Sequence, residues 1–123
     1  MGKVRAYKFI SLALALALNL QLAMLTLLPI HVSAATVVTF PDSNLEAVIR
    51  TALSKPAGDI LDTELATLSS LTGSSQGIVN LSGLEYCTNL TSLTLDNNSI
   101  VNLAPLAALT NLTQLNLHHN LYS

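Results

Sequence analysis

The sequence is short of charged residues, which make up 10% of its 123 residues, against about a quarter in typical soluble domains. Basic residues are scarcest: beyond residue 34, two bases stand against seven acids and leave a net charge of −5. A nucleic-acid-binding surface needs clustered Lys and Arg to neutralise phosphates. The composition therefore excludes nucleic acid as a partner.

Cysteine is represented once, by Cys87, which excludes an intramolecular disulfide. No His or Lys that would activate its thiol lies nearby in the sequence, so we expect it to be buried as a small apolar side chain. The sequence also lacks a Ser-His-Asp set, paired catalytic carboxylates and a metal-ligating cluster. The adjacent residues His118 and His119 would face opposite ways on a strand. We expect no enzymatic activity, no metal and no cofactor.

The first 34 residues contain the longest apolar run. A basic head at 1–8 precedes an apolar run at 9–30, and small residues follow at 33–35. These are the parts of a secretory signal peptide, with cleavage predicted after Ala34 and Ala35 as the alternative. The run is also long enough to span a bilayer, so an uncleaved membrane anchor stays open. Either way the rest is exported, and we predict a secreted or cell-surface protein that meets a membrane only through this segment.

The stretch from Ile78 to Asn120 contains one pattern written twice, 22 residues apart. Adding 22 to each of eight positions gives an identical residue; the eight are Ile78, Leu81, Leu84, Asn89, Leu90, Leu93, Leu95 and Asn98. A degenerate earlier copy is visible at Leu68, Leu71 and Gln76. A period of 20–29 residues containing L-x-x-L-x-L-x-x-N is the signature of leucine-rich repeats.

This repeat predicts short parallel strands whose leucines stack into one interior. Leu93-Thr94-Leu95 alternates with period two, and Leu115-Asn116-Leu117 is its copy. Gly83 and Pro105 disfavour a long helix on the return between strands, where we expect 3₁₀ turns or irregular chain. After the strands, Asn98 and Asn120 are predicted to form a ladder that satisfies backbone groups at the turns.

Residues 35–67 are predicted to form an N-terminal helical cap. Ser43 and Glu46 fit a capping box, and Asp62 fits the N-cap of a second, short helix. Leu45, Val48, Ile49 and Leu53 form one apolar stripe. Such a segment would keep the first repeat's leucines from water. The predicted domains are a signal peptide at 1–34, the cap at 35–67 and the repeats at 68–123.

Residues 40–120 resemble the N-terminal cap and first repeats of bacterial, internalin-like leucine-rich repeat proteins. The matching segments are Phe40-Pro41-Asp42 with Leu45-Glu46, Leu81-x-Gly83-Leu84-Glu85, and Asn89-Leu90-Thr91-x-Leu93-x-Leu95-x-x-Asn98-x-Ile100. The resemblance implies a right-handed α/β solenoid with a concave parallel sheet that binds proteins or carbohydrates outside the cell. Family members have more repeats and a C-terminal cap or wall-anchoring segment. The resemblance therefore also implies a truncated product or fragment, with dimerisation through the uncapped C-terminal end as one consequence.

Residues between the inward leucines should form three rows on the outer side of the sheet. The rows are Ser70, Ser92 and Gln114; Thr72, Thr94 and Asn116; and Ser74, Asp96 and His118. They are small and polar and lack the Trp, Tyr and Arg that dominate binding hot spots. We predict that eight of these nine side chains, all except Ser74, contact the partner, with an ordinary solvated strand face as the alternative. Two alternatives stay open: a non-catalytic front segment of a larger secreted hydrolase, and a structural cell-surface spacer.

Overall fold

The computed structural model describes residues 32–123, so the predicted basic head and apolar run lie outside the described residues. The elements in chain order are β1 (Val37–Val38), α1 (Ser43–Ala52), β2 (Ile60–Leu61), α2 (Asp62–Leu65), β3 (Ser70–Thr72), a first 3₁₀ turn (Leu84–Tyr86), β4 (Ser92–Thr94), a second 3₁₀ turn (Ala104–Ala108) and β5 (Gln114–Asn116). Between residues 32 and 123, no helix combines the length and apolar character needed to cross a membrane.

The three strands of the repeats form one parallel sheet in the order β3-β4-β5. Leu71 pairs with Leu93, and Leu93 with Leu115, so each repeat meets the next at the 22-residue offset. Identical offsets give identical register, because every equivalent side chain then falls on the same face. The prediction of stacked parallel strands is confirmed, and the mixture of helices and strands is the α/β arrangement expected from the repeat.

The stacked leucines form the core of the described chain, but one end of the stack is open. Leu93, in the central strand, is fully buried, whereas Leu115 in β5 is 50% exposed. The prediction that both leucines are buried is therefore correct for Leu93 and wrong for Leu115. The physical reason is position: β5 has a neighbouring strand on one side only within the described sheet. Leu103 and Leu106, on the last return, are likewise only partly buried.

The returns between strands contain the two 3₁₀ turns, as predicted. Gly83 precedes the first of these turns with φ of 101°, a left-handed conformation that strains other residues. A Cβ at this position would also lie 2.6 Å from Cε1 of Phe40. Glycine is therefore required where the segment before α1 packs against the first return.

The start of α1 differs from the prediction. Asp42 is the N-cap, and its Oδ1 accepts hydrogen bonds from the N–H groups of Asn44 at 2.9 Å and Leu45 at 3.1 Å. The predicted capping box of Ser43 and Glu46 is wrong, because Ser43 is the first helical residue and Glu46 forms an ion pair one turn further on. A carboxylate at the positive end of a helix binds the free N–H groups more strongly than a hydroxyl does.

The start of α2 also differs. Its N-cap position is Leu61, and Asp62, the predicted N-cap, is the first helical residue. The carboxylate of Asp62 instead accepts the N–H of Thr36 at 2.9 Å. Glu64 reaches back to the N–H of Leu61 at 2.9 Å. Asp62 therefore ties the segment at β1 to β2, which pairs with β1 in an antiparallel two-stranded sheet.

The predicted apolar stripe of α1 is confirmed. Leu45 and Ile49 are fully buried, and Val48 and Leu53 pack against the same core from its edge. A helix with one apolar face gains stability mainly by burying that face against other elements. Here that face joins the leucine core of the repeats.

Candidate functional site

Two of the three predicted rows lie in register across the parallel sheet. Ser70 pairs with Ser92 and Ser92 with Gln114, while Thr72, Thr94 and Asn116 form the second row. Successive residues of a strand point to opposite faces. Because the intervening leucines point inward, these six side chains share the opposite face and are exposed or half-exposed. We call the three rows together the outer sheet face.

The third row lies just beyond the strands and is held by its own hydrogen bonds. Ser74 Oγ donates to Asp96 Oδ1 at 2.5 Å, and Asn97 Nδ2 donates to Asp96 Oδ2 at 2.6 Å. The hydrogen bond from Ser74 lowers the pKa of Asp96. Partial burial opposes this effect, and the Asn97 amide and the nearby His119 lower the pKa further. Asp96 therefore carries a fixed negative charge whose two oxygens are already engaged within the chain.

His118 completes this row at the β5 end and is exposed. Its backbone N–H donates to Asn116 Oδ1 at 3.1 Å, which fixes the chain direction after β5. The imidazole centroids of His118 and His119 are 6.5 Å apart. Across residues 32–123, no group of three or more His, Cys, Asp or Glu side chains is arranged to hold a metal ion.

In the turns that follow β4 and β5, the predicted asparagine ladder is present. Asn98 Oδ1 accepts the N–H groups of Gln76 at 3.1 Å and Ile78 at 3.0 Å. Its Nδ2 donates to the carbonyls of Gly73 at 2.8 Å and Leu95 at 2.9 Å. One coil later, Asn120 Oδ1 accepts the N–H of Ile100, and its Nδ2 donates to the carbonyls of Leu95 and Leu117. The ladder joins each turn to the preceding coil and keeps the rows of the outer sheet face in a fixed geometry.

Sequence reasoning missed a second role of Asp42. Asp42 caps α1 through Oδ1. Its other oxygen, Oδ2, accepts the N–H groups of Val79 at 2.7 Å and Asn80 at 2.9 Å, which lie 37 and 38 positions later in the sequence. Partial burial raises the pKa of Asp42, but the four backbone N–H donors outweigh it and hold the pKa below its ordinary value. The match at Phe40-Pro41-Asp42 marked this residue, yet nothing local in the sequence points to its distant partners.

Cys87 lies on the first return and is fully buried, as predicted. Burial raises the pKa of its thiol to about 12, and the charge of Glu85 adds to the rise. Nucleophilic attack requires a thiolate. Cys87 therefore behaves as a core side chain, and the equivalent position in the next repeat is Leu109, which is also buried.

No protein-family model matches the chain, and no curated protein matches it either. Solved structures do match. An internalin, InlF, from Listeria monocytogenes shares 32% identity at a TM-score of 0.66, over 68% of this chain and 25% of that one. Internalin C2 from the same organism shares 30% identity at a TM-score of 0.66, over 72% of this chain and 41% of that one. The chain is an internalin-like leucine-rich repeat protein.

A further match lies outside Listeria. A structure of CBM51-2 in complex with GlcNAc and INT domains from Clostridium perfringens ZmpB shares 38% identity at a TM-score of 0.63, over 69% of this chain and 18% of that one. The internalin-like chain thus spans between 18% and 41% of the length of these three matched chains.

Proposed function

We propose that this internalin-like chain is an exported, non-catalytic binding module that recognises a protein outside the cell through its outer sheet face. The observation that carries the proposal is the register of the rows, which presents six polar side chains in a fixed lattice above a leucine core. A binding surface held by rigid strands loses little freedom when it meets a partner. The likeness to internalins supports the same role.

The chemistry of the outer sheet face fits recognition by neutral hydrogen bonds. Among residues 32–123, the side chains of Ser70, Thr72 and Thr94 form no hydrogen bond, so their hydroxyls remain available to a ligand. Asp96 is the single acid of the three rows, and no Lys or Arg is among them. A carbohydrate is the second candidate ligand, because hydroxyl and amide side chains also bind sugar hydroxyls. The predicted site residues, Ser70, Thr72, Ser92, Thr94, Asp96, Gln114, Asn116 and His118, are proposed as the contact set.

We also infer the architecture that the repeats require. Residues 68–123 form coils of a right-handed solenoid with the outer sheet face on its concave side, and residues 35–67 act as its N-terminal cap. The buried side chains of Leu45 and Ile49 support the cap, as does the clamp from Asp42 to the first return. Residues 1–34 act as the signal peptide, and mass spectrometry of the exported protein should find Ala35 as its first residue. A retained apolar run would favour the membrane anchor.

The exposed end of the stack leads to a proposal about assembly. Leu115, in β5, is 50% exposed, and Leu121, which follows the strand, is 65% exposed. We propose that a second copy of the chain covers these side chains, because burying exposed leucines is favourable at about 25 cal/mol per Å². Light scattering should show a concentration-dependent dimer that is lost in Leu115→Asn. A monomer at every concentration would refute this.

The binding proposal is tested with a charge placed in the middle of the outer sheet face. Thr94→Arg should abolish capture of a cell-surface protein by the immobilised protein, because the long cation sits in the central row. Thr110→Arg places the same charge on an exposed return position and should leave capture unchanged. A glycan array probed with the same proteins separates the carbohydrate candidate. Equal capture by both variants would refute a role for this face.

A further inference from the structure

The outer edge of β3 carries backbone groups without partners. In the described sheet β3 has one neighbouring strand, β4. The carbonyl of Ser69 accepts from Thr91 at 2.8 Å, and the N–H of Gly73 donates to the carbonyl of Thr94 at 2.8 Å. Backbone groups of successive residues point to opposite sides of a strand. The N–H and C=O groups of Ser70 and Thr72 therefore point away from β4.

Strand β3 itself carries none of the residues that usually protect such an edge. Proteins blunt a free strand edge with Lys, Pro, a bulge or a covering element, because an exposed edge pairs with other chains. Strand β3 reads Ser70-Leu71-Thr72 and contains neither charge nor proline. Its length of three residues limits any added strand to a similar number of paired residues.

Helix α1 runs beside this edge and leaves a groove of about 400 Å³ between itself and β3. The lining residues are Ala47, Val48, Thr51 and Ala52 from the helix, and Ser70, Leu71, Thr72 and Gln76 from β3 and the turn after it. The volume is within the range of about 300–1,000 Å³ found for ligand pockets. We call this space the edge groove.

The lining of the edge groove determines the chemistry of its occupant. None of the eight residues is ionisable, so a charged side chain entering the groove would lose its hydration without gaining a partner. Val48 and Leu71 provide apolar surface, while Thr51 and Gln76 provide neutral polar groups. The groups that need partners are the main-chain groups of Ser70 and Thr72. Their natural complement is the main chain of another extended segment.

We propose that the edge groove binds an extended, uncharged polypeptide segment of a partner protein, which adds to β3 as a further strand. Main-chain hydrogen bonds to Ser70 and Thr72 supply the affinity, and alternate side chains of the segment pack against Ala47 and Val48, as in other strand-addition complexes. This goes beyond the proposed role of the outer sheet face. It does not depend on that role, because it uses a strand edge and one side of α1.

The test uses a capped heptapeptide, Thr-Asn-Leu-Thr-Ser-Leu-Thr, which copies residues 88–94 and carries no charge. In the free protein, amide exchange should be fast at Ser70 and Thr72 and slow at Gly73, whose N–H is bonded to β4. Adding peptide should cause saturable NMR shifts at Ser70 and Thr72 and slow their exchange about tenfold. The same peptide N-methylated at alternate residues should have no effect, because its bonding edge is blocked.

Variants of the helix side test the groove itself. Ala47→Glu and Ala52→Lys place opposite charges in the edge groove at exposed helical positions, and each should weaken peptide binding at least tenfold. Ala108→Glu, on the second 3₁₀ turn, should bind like the parent. Circular dichroism of all three variants should match the parent spectrum.

Four results would overturn the proposal: slow exchange at Ser70 and Thr72 in the free protein, absence of saturable shifts, equal binding by all variants, or shifts confined to Leu115 at the β5 edge.

Discussion

Asn98 provides the sharpest test of how the repeats hold together. It is the one buried polar residue in the described part of the chain, at 8% exposure. Its Oδ1 accepts two backbone N–H groups from the preceding coil, at Gln76 and Ile78. Its Nδ2 donates to the carbonyls of Gly73 and Leu95 and, more weakly at 3.3 Å, to that of Asp96. Asn98→Ala removes all five side-chain bonds. Alanine does not restrict the backbone at this position.

The cost follows from the groups left behind. The N–H of Ile78 belongs to a fully buried residue, whereas the bond to Gln76 is only partly buried and water can replace it. An unsatisfied buried donor costs about 1–3 kcal/mol, and a partly hydrated one costs less. We expect a loss of about 3 kcal/mol for the whole residue, which includes the two carbonyls. For a domain of this size that lowers the melting temperature by roughly 12–24 °C.

Urea unfolding of Asn98→Ala, followed by far-UV circular dichroism, measures this loss directly. Asn120→Ala is the control, because Asn120 bonds Ile100, Leu95 and Leu117 one coil later, without a counterpart of the Gln76 bond, and is only partly buried. Water can satisfy the groups that Asn120 leaves, so we expect about 1 kcal/mol there. Equal costs for the two variants, or a cost below about 1 kcal/mol for Asn98→Ala, would contradict the reasoning from burial.

Three further predictions concern the contacts around the first return. Asp42→Asn keeps a helix cap, but the NH₂ group of the new side chain faces backbone N–H donors where an acceptor oxygen stood. The free energy of unfolding should therefore fall by about 1–3 kcal/mol at pH 7. Because the pKa of Asp42 is lowered in the folded protein, the parent should lose stability as pH falls below its ordinary value of 3.8, and the variant should lack that part of the acid loss. Gly83→Ala should destabilise by about 2–4 kcal/mol, since its methyl group meets the Phe40 ring and φ is positive; denaturant unfolding measures this. Cys87, with a pKa of about 12, should react with a thiol reagent at pH 8 only as the chain unfolds, and prompt labelling of the native protein would place the thiol outside the core.

The repeated part of the structure was predictable from the sequence because its information is local and periodic. A 22-residue offset that carries leucines onto leucines admits one register, in which Leu71, Leu93 and Leu115 lie side by side. The same offset predicts the rows of the outer sheet face. The asparagines that follow successive strands, Asn98 and Asn120, likewise predicted a ladder. A turn leaves backbone groups without sheet partners, and an amide side chain can satisfy them.

Tertiary structure decided what lies outside the period. Asp42 was assigned no role in the predicted capping box. In the structure it caps α1, and it also accepts the backbone N–H groups of Val79 and Asn80, which are distant in sequence. That bond exists because α1 docks beside the first return, and no local pattern encodes a docking position. The exposure of Leu115 and the free edge of β3 have the same origin. Both depend on which elements lie next to the outermost strands, a property of the assembled sheet and not of the residues in it.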